Sequence, residues 1–500
     1  MKKIKETFNY FVNWTPCKIS RIFLLAIPFV FFCLTKFELN NDFWFLINTG
    51  REILKNGFIN IEPFTIHSGF AFVPQQWLTD VLFYLIYNKF DVYGMFALLF
   101  VVNIIIVFLF YKLCLLVSNN RYNVSVYSTI LIDTLIIKTF LHTRPQIFDI
   151  IFILLEIYLL ELYIRKENKK YLYGLPIISI LMINLHASIW PMLFVILLPY
   201  YLGRINLKKT TVENYRLKPL IVITILMLLG GFVNPYGIDM MLYLFRSFGL
   251  KEINDLVLEM KPTTVSNGMY IYLFLILIFL SYYFTKSENK RINIRYMLLF
   301  MGTTYLALSH TRGILFLLLV GMLPVLDNFN GFNKISNVSI KPNKYVYLIY
   351  LILLLAMGSF CAFNIKFVKE EQYRLYAFAN YLDNFADKDI KLYTDYNNGG
   401  YMEYKGYKCY IDSRAEVFYK SNNKKQDVMV EYVNLFSNVN PKDFLNKYDF
   451  DYLLVANYDG LYYYLENLHY SIVYEINYYE GDFRGYRLYK NNEVQNEESD

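Results

Sequence analysis

Charged residues are scarce in this chain. Only 18% of its 500 residues are Asp, Glu, Lys or Arg, whereas 56% are hydrophobic and the mean hydropathy is +0.29. A soluble protein of this composition could not cover its surface with polar groups, so an ordinary soluble enzyme is excluded. The net charge of +7 is modest, and the basic residues form short clusters between apolar runs. We therefore expect a membrane protein with no nucleic-acid partner.

Cysteines and nucleotide-binding motifs are also sparse. The five cysteines, Cys17, Cys33, Cys114, Cys361 and Cys409, include no CxxC pair, which argues against a metal–thiolate site or a disulfide framework. No GxGxxG or GxxxxGK[ST] loop connects a predicted strand to a helix, so a nucleotide-sugar donor is not expected. The first apolar run lacks a small-residue cleavage site, and we predict that it is an uncleaved span.

Long apolar runs are abundant. A membrane-spanning helix needs about 20 apolar residues, and on that criterion we predict about eleven spans. Their ranges are 19–37, 93–117, 124–141, 147–164, 172–185, 187–203, 219–233, 269–285, 296–310, 313–328 and 344–363. The expected fold is an all-α polytopic membrane domain over residues 1–363, followed by a small soluble α/β domain over residues 364–500.

The basic clusters predict the orientation. RKENKK, RINLKK and KSENKRINIR lie in loops that alternate along the chain, and such clusters favour the cytoplasmic side. The predicted inner loops are 1–18, 118–123, 165–171, 204–218, 286–295 and 329–343. We expect a multi-pass protein of the cell membrane with a cytoplasmic N-terminus and residues 364–500 outside.

The outer C-terminal region has the pattern of a small α/β domain. KLYTDY, KCYIDS, DYLLVANY and SIVYEI predict strands, and residues 370–386 and NPKDFLNKY predict helices. Within IDSR, Asp412 and Arg414 are either a buried ion pair or a binding site, and an ion pair is the preferred interpretation.

The first outer loop, residues 38–92, is too apolar for a free loop and too polar to span. Helical spacing after Asp42 predicts a helix in the membrane interface that stops near Gly57, and residues 75–87 predict a second interfacial helix. Asp42 starts the first helix, where Asn41 or Asp42 would suit the N-cap. Glu62 lies in the connecting segment IEPFTIHSG and would be a solvated carboxylate if it had no function.

Other polar residues cluster at predicted outer helix ends. They are His142, Arg144, Gln146, Asn184, His186, Asn234, His310 and Arg312. Each could serve only as a cap or interface anchor, but polar groups at membrane depth are costly and usually line a cavity. We favour one shared, outward-facing cavity. Lys261, in the outer segment LEMKP, is a further candidate that Glu259 would orient.

The stretch DFWFLINTGREILKNGFINIEPFTIHSGFAFVPQQWLTDVLFYLIY resembles the first outer loop of bacterial membrane glycosyltransferases of the C superfamily, which include relatives of protein mannosyltransferases and aminoarabinose transferases. The resemblance continues through RPQ, NLHAS, NPYG, HTRG and DYNNGGYMEYKGYKCYIDSRAEVF. Two departures stand out. Phe43, Trp44 and Phe45 replace the more usual Trp-Trp-His, and Glu62 stands where Asp is more common.

The resemblance implies transfer of a sugar from a polyprenyl-phosphate donor to a lipid, glycan or protein acceptor of the cell envelope, at the outer face. Asp42 would be the base of an inverting reaction. Glu62 would be a helper or a metal ligand, since a divalent metal ion is the one cofactor to be considered. Arg144 and Arg312 would hold the lipid phosphate, near the three turn histidines. A transporter or flippase of a lipid-linked saccharide and a non-catalytic assembly protein are the alternatives.

Overall fold

A computed structural model describes residues 17–205, 210–211, 213–247, 257–285, 292–329, 344–477 and 485–492. Parts of several predicted cytoplasmic loops lie outside the described residues. They are residues 1–16, 206–209, 212, 286–291 and 330–343.

The described chain is mostly helical, with strands concentrated near its C-terminal end. The α-helices are Lys18–Leu25, Ile27–Leu34, Asn41–Asn56, Trp77–Val117, Tyr122–Thr139, Gln146–Lys166, Gly174–Leu185, Pro191–Leu202, Leu217–Gly230, Ile238–Met241, Tyr243–Ser247, Val265–Thr285, Ile294–Ser309, Ile314–Val320, Leu323–Asn328, Lys344–Asn364, Tyr376–Phe385, Gly399–Tyr404, Lys420–Asn423, Val428–Val433, Pro441–Tyr448 and Leu461–Tyr464. The strands are β1 (Thr210–Thr211), β2 (Ile292–Asn293), β3 (Lys391–Thr394), β4 (Lys408–Cys409), β5 (Tyr452–Ala456), β6 (Tyr470–Ile476) and β7 (Tyr486–Asn491).

Four segments of the described chain are long and apolar enough to cross a membrane. They are Trp77–Val117, Val265–Tyr283, Thr311–Asn328 and Lys344–Asn364, and two shorter apolar helices are Ala187–Leu202 and Leu217–Gly230. A membrane protein is therefore supported, whereas the number of eleven spans and their orientation stay predictions.

Several predicted spans contain breaks. The first divides into Lys18–Leu25 and Ile27–Leu34, with Pro28 in the first turn of the second helix. Proline is tolerated there because it has no N–H to donate. The interfacial segment 75–87 and the span 93–117 were predicted as separate helices. They are joined as Trp77–Val117, but Asp91, with φ 52°, leaves the helical conformation between them.

Packing divides the chain into two compact units. The membrane unit comprises Met1–Phe37, Phe96–Met241 and Val257–Lys366, and the sheet unit comprises Glu38–Met95, Leu242–Leu256 and Phe367–Asp500. The first outer loop thus packs as part of the same unit as the C-terminal region, a grouping that the sequence analysis did not make. Each unit has its own buried polar residues as well as an apolar core.

The membrane unit buries an ionic network. Arg295 Nη2 lies 3.1 Å from Glu161 Oε1, and the hydroxyl of Tyr296 donates to Glu161 Oε2 at 2.6 Å. Tyr200 donates to the same carboxylate at 3.1 Å. A charge taken out of water is tolerated only with such partners, so these contacts explain how Arg295 and Glu161 can be almost fully buried.

The sheet unit is built on a five-stranded mixed sheet in the order β4-β3-β5-β7-β6. β3 is parallel to β4 and β5, whereas β7 is antiparallel to β5 and β6. Residues Tyr452–Ala456 of β5 are all buried, as expected for a central strand covered on both faces. The predicted α/β character of this region is supported, and β7 is a strand that the sequence analysis missed.

The first outer loop extends this sheet. Ile61 and Ala71 form an antiparallel bridge, and Thr65 pairs in parallel with Cys409 at the end of β4. The amide of Ile66 donates to the carbonyl of Cys409 at 3.0 Å. These bonds hold the Glu62 segment against the sheet edge rather than leaving it in solvent.

Candidate active site

Asp42 lies in the first turn of helix Asn41–Asn56, but it does not cap that helix. The cap is Asn40, whose side chain accepts a hydrogen bond from the Phe43 amide at 3.1 Å. The predicted cap at Asn41 or Asp42 was therefore wrong by one or two positions. With the cap supplied by Asn40, the position of the half-buried Asp42 is not explained by capping.

Side chains from the C-terminal region hold the start of this helix. Asn41 Oδ1 accepts from Arg374 Nη2 at 3.0 Å and from the Tyr373 hydroxyl at 3.2 Å. Arg374 Nη2 also donates to Asn398 Oδ1 at 2.9 Å. Two turns along, Gly50 approaches the Asp80 carbonyl so closely that a Cβ would lie 2.1 Å from its oxygen. The backbone of the helix that carries Asp42 is thus fixed at both its start and its middle.

Glu62 is buried beside Arg414. Its Oε1 accepts from Arg414 Nη2 at 2.8 Å and from the Phe64 amide at 2.9 Å. Its Oε2 accepts from the Thr65 amide at 3.0 Å and the Thr65 hydroxyl at 2.6 Å. A carboxylate with four protein donors is well satisfied and poorly placed to act as a second base.

Arg414 is the centre of a buried cluster with three acids. Besides Glu62, it contacts Asp412 through Nε at 2.7 Å and Glu403 Oε2 at 3.4 Å. The expected ion pair between Asp412 and Arg414 is present. Burial raises the pKa of Glu403 well above its usual range, and neighbouring Asp412 raises it further against the opposing effect of Arg414. The raised pKa favours the protonated form of Glu403, and protonation would reduce the negative charge in the cluster.

In the membrane unit, Arg144 and Arg312 meet at one carboxylate. Arg144 Nη1 pairs closely with Glu259 Oε1, and Arg312 Nη2 lies 3.4 Å from Glu259 Oε2. Burial raises the pKa of Glu259, but Arg144 and Arg312 outweigh burial and leave the pKa below its usual value. The three side chains remain 23–39% exposed, so the cluster is accessible from solvent.

The turn that carries Arg312 is tied to the Glu259 segment. The Thr311 amide donates to the Lys261 carbonyl at 3.1 Å, and the Thr311 hydroxyl donates to the Glu259 carbonyl at 3.0 Å. Glu259 was expected to orient Lys261, whereas its ion pairs are with the two arginines. His142 adjoins this cluster: burial lowers its pKa, and Arg144 lowers it further.

The other turn residues make structural contacts. Asn184 Nδ2 donates to the carbonyls of Ile180 and Val233, each at 2.8 Å, and Asn234 Nδ2 donates to the Gly231 carbonyl at 2.6 Å. His186 Nδ1 lies 2.7 Å from Asp149 Oδ2, and Gln146 Nε2 donates to the Phe140 carbonyl at 3.3 Å. His310 leads into the 3-10 turn Thr311–Gly313. None of these contacts joins Asn184, His186 or Asn234 to the arginine cluster.

Two important residues were missed from the sequence. Arg374 has no local motif, because its partner Asn41 lies 333 residues away in the chain. Glu403 lies 11 residues from Arg414, but no sequence motif marks that pair, and Glu62 of the same cluster is distant. Only three-dimensional proximity identifies them.

The oxygens of Glu62 and the arrangement of the described acids bear on the metal ion that the resemblance allowed. Within the described ranges, no group of three or more His, Cys, Asp or Glu side chains is arranged to hold a metal ion. The oxygens of Glu62 are used by Arg414, Phe64 and Thr65. The Glu62 contacts therefore do not fit the metal-ligand role that the resemblance implied for this residue.

Comparison with known proteins identifies the fold. No family model and no curated protein sequence match the chain. Among solved structures, the oligosaccharyltransferase of Archaeoglobus fulgidus, tethered to an acceptor peptide with an NVT sequon, matches with a TM-score of 0.53 and 10% identity, over 88% of this chain and 69% of that one. Its apo form gives a TM-score of 0.51 at 10% identity, over 88% and 70%.

A third structure is that of the same archaeal enzyme, AglB, in complex with an inhibitory peptide and a dolichol-phosphate. It matches with a TM-score of 0.50 and 10% identity, over 87% of this chain and 69% of that one. These likenesses show that the chain shares its fold with that oligosaccharyltransferase.

Proposed function

We propose that this protein is a membrane glycosyltransferase. It would move a sugar from a polyprenyl-phosphate-linked donor to a lipid, glycan or protein acceptor of the cell envelope, at the outer face of the membrane. The observation that carries the proposal is the convergence of Arg144 and Arg312 on a single, partly exposed carboxylate, that of Glu259. The fold shared with an oligosaccharyltransferase supports the same reaction class.

The arginine cluster has the chemistry of an anion site. Guanidinium groups bind carboxylates and phosphates through the same forked hydrogen bonds. Glu259 supplies one negative charge to two positive ones, which leaves a net positive charge for a ligand. A lipid phosphate, with more charge and more acceptor oxygens than a carboxylate, can replace Glu259 or share the arginines with it. Burial and Arg144 lower the pKa of His142, and its imidazole has an N–H to donate in either protonation state.

In the proposed reaction, the acceptor hydroxyl attacks the anomeric carbon while the bond from that carbon to the phosphate oxygen breaks. The bonding electron pair leaves with the phosphate, which Arg144 and Arg312 stabilise. Asp42 takes the hydroxyl proton as general base. A single displacement without a covalent intermediate inverts the anomeric centre.

Glu62 receives a different role from the one the resemblance implied. Its four protein donors favour a structural function, in which it fixes the first outer loop and neutralises Arg414. Asn184, His186 and Asn234 likewise have contacts that account for them locally. We retain Lys261 and His310 as substrate-binding candidates because their segments adjoin the arginine cluster.

The ligands of the archaeal enzyme bear on the substrates. One of its structures is a complex with a dolichol-phosphate, and another carries a tethered acceptor peptide. By analogy, a polyprenyl-phosphate carrier is the donor class we propose, and a protein acceptor is one of three candidates.

The test uses the full chain in liposomes with a set of polyprenyl-phosphate sugars and envelope acceptors. Mass spectrometry should detect free polyprenyl phosphate together with a glycosylated acceptor. A flippase would move the donor across the bilayer without cleaving it, and an assembly protein would do neither. Either of those results would overturn the proposal.

The same assay examines the anion site. Arg144→Ala and Arg312→Ala should each raise the donor KM by about tenfold or more, since a charge-assisted hydrogen bond contributes about 1.5–3 kcal/mol. Lys138→Ala, which removes an exposed charge from the last turn of helix Tyr122–Thr139, is the matched control. If the donor KM is unchanged in both arginine variants, these residues do not bind the donor and serve only as interface anchors.

A further inference from the structure

Two of the five cysteines, distant in sequence, meet in the membrane unit. Cys33 lies in helix Ile27–Leu34 and Cys361 in helix Lys344–Asn364, and their thiols are in hydrogen-bond contact. The other three thiols have oxygen partners instead. Cys17 lies 3.3 Å from the Ser20 hydroxyl, Cys409 lies 3.6 Å from the Gly399 carbonyl, and Cys114 contacts Thr129.

Both cysteines line one apolar groove of the membrane unit. Its volume is about 380 Å³, and its walls are apolar side chains, among them Phe29, Phe100 and Met357. Gly358 also lines the groove, and a Cβ at this position would meet no atom within 4 Å. Cys33 and Cys361 are 4% and 8% exposed, so each presents only its edge to this space.

The contact lies where the last helix of the membrane unit is attached. Within Lys344–Asn364, Cys361 is the buried residue, and the helix packs on Lys18–Leu25 and Ile27–Leu34. Phe23 and Tyr350 add one aromatic contact, with ring centroids 5.5 Å apart. A covalent bond at Cys361 would therefore fix this helix at its buried residue, whereas its other residues are half-buried or exposed.

We propose that Cys33 and Cys361 form a reversible disulfide that locks helix Lys344–Asn364 to the first helices of the membrane unit. A disulfide has an S–S length of about 2.05 Å. Rotation of the two side chains, whose thiols are already in contact, would bring the sulfurs together. On the predicted topology both residues lie towards the outer ends of their spans, on the side where disulfides persist.

The reaction is a thiol–disulfide exchange with a small-molecule or protein disulfide as oxidant. One cysteine thiolate attacks the oxidant, forms a mixed disulfide and releases the first thiol of the oxidant. The second cysteine then attacks the protein sulfur of that mixed disulfide and releases the second thiol. Two cysteine thiols are oxidised, one oxidant disulfide is reduced to two thiols, and the protons lost by the cysteines pass to the released thiolates. Reduction by dithiothreitol reverses both steps.

The experiment counts thiols in the full-length protein in liposomes. After incubation with oxidised glutathione at pH 8, or with the stronger oxidant copper–phenanthroline, the protein is denatured and labelled with a polyethylene-glycol maleimide. We expect wild-type protein to lose two of its five labels and to regain them with dithiothreitol. Peptide mass spectrometry should find Cys33 joined to Cys361, with the mass of two hydrogens missing.

Single variants provide the controls. After copper–phenanthroline, which leaves no mixed disulfide, Cys33→Ser and Cys361→Ser should each keep all their remaining labels. Oxidised wild-type protein should also melt at a higher temperature than reduced protein, whereas the double variant should show no difference. Five labels on wild-type protein after copper–phenanthroline, or a bond that involves Cys17, Cys114 or Cys409, would overturn the proposal.

Discussion

Replacing Arg414 by Met removes the positive centre of the buried acid cluster. Met is apolar and of similar length, so the substitution isolates the loss of charge and hydrogen bonding from a loss of volume. Glu62 and Asp412, each essentially buried, would lose their cationic partner. Glu403, whose pKa burial and Asp412 raise, would be affected less.

The expected cost follows from this arrangement. Breaking a buried ion pair by removing one partner costs about 3–5 kcal/mol, since an uncompensated charge stays behind. For a unit of 150–250 residues, each kcal/mol lowers the melting temperature by about 2–4 °C. Arg414→Met should therefore lower the melting temperature of the sheet unit by roughly 6–20 °C.

Thermal unfolding of the full chain in detergent, followed by intrinsic fluorescence, measures this effect. Lys388→Met is the matched control, because the Lys388–Asp383 pair is 50% and 37% exposed and such surface pairs contribute about 0–1 kcal/mol. Arg414→Lys should fall between the two, since it keeps the charge but not the forked geometry. Equal melting temperatures for Arg414→Met and Lys388→Met would refute the reasoning.

Two further predictions concern other acids of the sheet unit. Burial, together with the Asp395 charge, raises the pKa of Asp459 to about 6, against the opposing bonds from the Leu461 amide and Tyr393. Because the folded-state pKa is raised, the stability of the wild-type protein should fall as the pH rises from about 4 through 6. Asp459→Asn should flatten that part of a profile of melting temperature against pH. Parallel profiles for the two proteins would contradict this pKa assignment. Glu62→Gln should destabilise the fold by about 1–3 kcal/mol, because donors that now bond Glu62 would be left unsatisfied. The rate of sugar transfer per folded molecule should be nearly unchanged. A fall in kcat without a loss of stability would instead show that Glu62 takes part in the reaction.

Local patterns predicted the elements of the sheet unit well. KLYTDY, KCYIDS and DYLLVANY each contain an observed strand, SIVYEI lies within β6, and NPKDFLNKY contains helix Pro441–Tyr448. The signals for these elements are local. Alternating or continuous apolar residues predict the strands, and Asn440 caps the helix that follows it. β7 was missed because its sequence, YRLYKN, is short and polar, and its pairing with β5 and β6 decides its conformation.

Contacts between distant residues could not be predicted. Nothing near Glu62 reveals that its partner is Arg414, and nothing near Glu259 reveals that it binds both Arg144 and Arg312. The N-cap was misassigned for a related reason: Asn40, Asn41 and Asp42 are all suitable caps, and packing selects among them. Arg144 and Arg312 were chosen because a charge at a helix end needs an anion. Both contact Glu259, and phosphate binding by them stays a prediction.

The central claim is that Asp42 is the general base, and Asp42→Asn tests it most directly. Because Asn40 caps the helix, the substitution should cost only a few tenths of a kcal/mol through the helix dipole. Glu52→Gln, nearer the end of the same helix, is the matched control. In liposomes with a polyprenyl-phosphate sugar, we predict that Asp42→Asn lowers the transfer rate on the order of a hundredfold or more, with normal folding and full activity in Glu52→Gln. Near-normal transfer by Asp42→Asn would contradict the account.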